Sequence, residues 1–156
     1  MKLAEVLIMR ADANKRIQQL RERLNRSAKV QEGDNPPENP QELMEELERV
    51  VTEFRRLVKL INRTNSQTTF GDGMSLTDAL ADRDALALER SVLAGLIDAA
   101  AGNANDYRYA YVMRDVKTFR AVDVSAVQKR VDELARRHRE LDTRIQALNW
   151  SVDVVE

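Results

Sequence analysis

The side chains of this sequence best placed to do chemistry sit on either side of one polar, turn-rich stretch. Asn62, Arg63 and Asn65 precede it, and Asp78, Arg83 and Asp84 follow it. Guanidiniums could hold an anion through paired hydrogen bonds, and carboxylate and amide oxygens could hold a divalent cation. No spacing among these residues specifies a reaction. His138 is the one histidine, and the chain has no cysteine. Thiolate metal sites, disulfides and cysteine nucleophiles are therefore excluded. A lone histidine without cysteine does not make a typical zinc site. No metal, no cofactor and no catalytic constellation is implied, and the chain reads as non-enzymatic. Phe70-Gly71-Asp72-Gly73 lacks the G-x-x-x-x-G-K-[ST] pattern of a phosphate loop and reads as a turn into the next helix.

Positioning these residues falls to long helices. Leu3, Val6, Ala13, Ile17, Leu20 and Leu24 keep three- and four-residue spacings if Arg10 fills a gap, which predicts a first helix over about 2–27. "GDNPPENP" at 33–40 then breaks the chain. Asn39 as N-cap, Pro40 at the first helical position and Glu42 in the first turn open a second helix. Its stripe is Leu43, Leu47, Val50, Phe54, Leu57 and Ile61, widened by Met44, Val51 and Val58. A third helix starts at Ser75 or Thr77 and ends near Gly102, with Leu76, Ala79, Leu80, Leu86, Leu93 and Ile97 on a broad face. A fourth carries Val124, Val127, Val131, Leu134, His138, Leu141, Ile145 and Leu148 in unbroken 3-4 alternation. His138 on that seam would set register or make assembly pH-sensitive.

Two segments depart from helical spacing. Residues 62–69 begin with Asn62 of "LINRTN", a phrase that resembles the ends "RLNRSA" and "ALNWS" of helices one and four. Asparagine tolerates the left-handed conformation that ends helices, so a stop followed by a polar loop is expected there. Residues 105–123 have a period of two, with Tyr107, Tyr109, Tyr111 and Met113 on one face. This predicts a β-hairpin between helices three and four whose aromatic face contacts another subunit or covers the helices.

The expected fold is mainly α: one domain over 1–156, an antiparallel bundle of four long coiled-coil-like helices with one hairpin insertion. Lys+Arg is 25 against 26 Asp+Glu, which argues against a nucleic-acid partner. Glu5 and Arg10 interrupt the apolar N-terminal run, so it does not read as a signal peptide, and no stretch approaches a bilayer span. A cytoplasmic homo-oligomer is expected.

The phrases "MKLAEVLIMRADANKRIQQLRERLNRSAKVQEGDNPPENPQEL", "LINRTNSQT", "LTDALADRD" and "VDELARRHRELDTRIQALNW" resemble the septicolysin-like family of small bacterial proteins. The resemblance spans essentially the whole chain. It implies a helical protein from a mostly uncharacterised group, with no catalytic residues to carry over, and the family's name implies a cytolysin. Three readings follow: an oligomeric scaffold or interaction module, a membrane-active lytic protein, and a binder of a small ligand, anion or metal at the polar loop.

Overall fold

Helix α1 forms over Leu3–Arg26. The Glu5 carboxylate accepts from the Lys2 backbone N–H at 2.6 Å, satisfying a donor the helix cannot. The computed structural model describes residues 1–102 and 117–155. The linker follows, and α2 runs over Pro40–Gln67 with the Asn39 side chain accepting from Gln41 N–H at 3.0 Å. A short antiparallel hairpin, β1 (Thr69–Gly71) and β2 (Met74–Ser75), leads into α3 over Leu76–Ala100. Helix α4 spans Val124–Ser151, and the Asp123 carboxylate accepts from Ala126 N–H at 3.2 Å in its first turn. The molecule is mainly α, with four helices among the described residues.

These elements form two compact units, residues 1–77 with 146–156, and residues 78–145. In the first, α1 and α2 pair antiparallel. Arg16 donates to Glu46 at 2.7 Å, and Arg23 donates to Glu38 at 2.9 Å, tying the end of α1 to the linker and the start of α2. Leu3, Val6, Leu20, Leu57 and Ile61 are at most 2% exposed. Burying each such side chain contributes about 1.5–3 kcal/mol. The chain's end closes this unit: Leu3 N–H donates to Val152 O at 2.9 Å, and Lys2 Nζ reaches Asp153 at 2.9 Å. In the second unit, Arg130 donates to Glu89 at 2.8 Å and Arg83 to Asp142 at 3.2 Å, so α3 and α4 also run antiparallel. Val131, Leu134 and Ile145 of the α4 seam are buried and His138 is half-buried, the inward stripe expected from the spacing.

One expectation is corrected. Residues 62–67 are the last turns of α2, not a loop. Two hydroxyls bond to carbonyls one turn back: Thr64 Oγ1 donates to Leu60 O at 2.9 Å and Thr68 Oγ1 to Thr64 O at 2.8 Å. Thr64 is fully buried and accepts from Val155 N–H at 3.0 Å, so a tertiary contact holds the segment where asparagine alone would favour a stop. A hairpin not expected from the sequence lies between α2 and α3, around Asp72-Gly73. Both residues take positive φ, 50° and 75°, the mirror-image turn that joins strands through two residues. Tyr107, Tyr109, Tyr111 and Met113 lie outside the described residues. The described remainder of that segment, 117–123, holds no strand.

Candidate functional site

The six polar residues singled out in the sequence divide between the two units. Asn62 and Arg63 are exposed on the last turns of α2, and Asn65 is half-buried there. Asp78, Arg83 and Asp84 belong to the second unit, on the first turns of α3.

Arg83 is the most constrained of the set. Its side chain is one-quarter exposed, at 25%. Nε and Nη2 donate to Asp84 at 3.0 and 2.9 Å, and Nη1 donates to Asp142 of α4 at 3.2 Å. Burial disfavours the guanidinium's charge, but the hydrogen bonds it donates to Asp84 and Asp142 outweigh it and hold the group protonated beyond its ordinary range. Two carboxylates already occupy this fork. These bonds tie α3 to α4.

Beside it, a cleft of about 520 Å³ lies between α3 and α4. Glu89 and Glu140 line it along with Arg137 and Arg144, over Leu86 and Leu141. Glu89 is bonded to Arg130, and Glu140 accepts from Arg136 at 2.8 Å. Arg136 is held protonated beyond its ordinary range, chiefly by its hydrogen bond to Glu133. The cleft thus mixes both signs, and its two glutamates are engaged by arginines of α4. Among the described residues, no group of three or more His, Asp or Glu is placed to hold a metal ion.

The feature that sequence reasoning missed is apolar. Leu88 is 68% exposed and Val92 63% on α3, with Leu96 beside them. Ala81, Ala85, Leu88, Val92, Gly95 and Ala99 are all exposed and follow one another at spacings of four and three. That is a second heptad seam, on the opposite side of α3 from the half-buried Leu86, Leu93 and Ile97. Alanines and a glycine hid it from a reading that followed the largest side chains.

Residues 10–154 match the family described as a family of unknown function, DUF6847, and the chain belongs to that family. It is similar to a protein of known crystal structure from Corynebacterium diphtheriae, described as a functionally unknown conserved protein. The two are 41% identical, the match covers 99% of each chain, and the TM-score is 0.87. No curated protein matches.

Proposed function

We propose that this member of the DUF6847 family is a self-associating helical interaction module and not an enzyme. The exposed seam of α3 carries the reading. Aliphatic residues at more than 60% exposure, Leu88 and Val92, stand one turn apart on a helix that has another apolar face turned inward. Large contiguous apolar faces mark interaction sites, since leaving them in water forgoes about 25 cal/mol per Å² of burial. Among the described residues, no cluster of His, Asp or Glu is placed to hold a metal ion. Arg83, the strongest anion-binding candidate, is bonded to Asp84 and Asp142.

Light scattering on the wild type and on a Leu88→Glu/Val92→Glu variant tests this. Both side chains are exposed, so the variant keeps its fold, which circular dichroism verifies. The expected result is a wild-type oligomer and a folded monomeric variant. A wild type that stays monomeric at high micromolar concentration would overturn the reading.

A further inference from the structure

We infer that the α3 seam takes a second copy of itself, with the two α3 helices antiparallel across a twofold axis at Arg90. This deepens the self-association proposed above and rests on it.

The argument begins with the order of side chains. Ala81, Ala85 and Leu88 precede Arg90, and Val92, Gly95 and Ala99 follow it at mirrored distances. Set antiparallel about that centre, Leu88 stands level with Val92 of the second copy. Ala85 then stands level with Gly95, and Ala81 with Ala99. The branched side chains meet in the middle, and the small residues meet at both ends. A parallel arrangement instead puts Gly95 opposite Gly95, with no side chain in that layer. The seam spans about 27 Å of helix. Because α3 is formed within the fold, pairing does not bear the nucleation cost that makes short isolated coils marginal.

Gly95 supplies an independent observation. It lies inside α3, where glycine is costly relative to alanine. A Cβ built there meets no atom within 4 Å beyond its chain neighbours and the helix's own backbone. Nothing within the described chain requires glycine at this position. A second backbone approaching along the seam does, because small residues let helix axes come close.

The flanking charges are compatible with the dyad. Glu89 meets its own counterpart across the axis, but each arrives bonded to Arg130 of its own chain at 2.8 Å. Two ion pairs therefore meet, not two bare carboxylates. Asp84 and Asp98 flank the ends, and Asp84 is bonded to Arg83 at 2.9 Å. The residual like charge gives this dimer an unusual signature: association tightens as salt rises.

The chain has no cysteine, so introduced thiols are the only ones present. Leu88→Cys and Val92→Cys are prepared singly and mildly oxidised, alone and as an equimolar mixture, with mass in solution measured on the same samples. The antiparallel register places position 88 of one copy against 92 of the other. It also offsets 88 from 88 by about 6 Å along the axis, too far for a disulfide once the helix separation is added. The expected result is rapid cross-linking in the mixture, at least tenfold faster than in either variant alone. Rapid linking of Leu88→Cys to itself would overturn the antiparallel register while leaving self-association intact. A dimer by mass that links in no combination would place the interface elsewhere and overturn the seam. A monomer by mass would overturn both proposals.

Discussion

A methyl group at Gly95 separates the interests of the helix from those of the dimer. Gly95→Ala adds a Cβ that meets no heavy atom within 4 Å beyond its chain neighbours and the helix's own backbone. The chain alone should gain the intrinsic difference between the two residues, about 1 kcal/mol. For a chain of this size that raises the melting temperature by about 2–4 °C. In the antiparallel dimer the same carbon faces Ala85 of the second copy, in two symmetric layers. Overfilling a close-packed position costs about 1–3 kcal/mol, so the dimer loses about 2–6 kcal/mol over both layers. The dissociation constant should rise by about 30-fold or more. Melting curves across a concentration series, with sedimentation equilibrium, read both effects. Because association raises the apparent melting temperature by mass action, the two proteins should exchange rank. The variant melts higher when dilute, and the wild type melts higher when concentrated. A variant that is more stable at every concentration, with unchanged dissociation constant, would refute the close approach at Gly95.

Other perturbations test the frame that presents the seam. Thr64→Val keeps the side chain's shape but removes the acceptor of the Val155 N–H at 3.0 Å; a loss of about 1–2 kcal/mol is expected in chemical denaturation. Arg23→Gln should free the linker's Glu38 from α1, read as faster tryptic cleavage at Lys29 with the helices retained. The Glu38 carboxyl is held below the usual range by its hydrogen bond from Arg23, and Asp153 by its bond from Lys2. Their stabilising contribution is thus fully present above the ordinary carboxylate value, about 4, and is lost as pH falls through the lower folded values. The melting temperature should fall below about pH 4, less steeply in Arg23→Gln than in the wild type. Lipid vesicles should retain an entrapped dye in the protein's presence, because α4 exposes Arg136 and Glu140 together and lacks the Lys/Arg-rich polar face of interfacial helices. Rapid release would favour the lytic reading.

The sequence shows the helices through signals that are local and redundant. Asn39-Pro40 marks a start that the structure keeps, and the 3-4 alternation from Val124 to Leu148 is a stripe that buries Val131, Leu134 and Ile145. Where a single signal competed with a distant contact, the distant contact prevailed. Asn62 suggests a stop, but buried Thr64 and its bond to Val155 carry α2 on to Gln67. The hairpin was legible in Asp72-Gly73, a dipeptide suited to two residues at positive φ, but the flanking strands are too short to show alternation. Arg83 and Asp84 stand out in the sequence as charges, but the contact that Arg83 makes with Asp142 of another helix has no trace in local spacing. The α3 seam was present as spacing from Ala81 to Ala99, but its small residues carry little hydrophobic signal until their exposure is known.

The most direct test of the central claim is the mass of the wild-type chain in solution, followed from nanomolar to high micromolar concentration. Self-association through one α3 seam predicts a rise from 17.8 kDa toward twice that value, with a midpoint that shifts to lower concentration as salt is added. A mass fixed at 17.8 kDa throughout would contradict it.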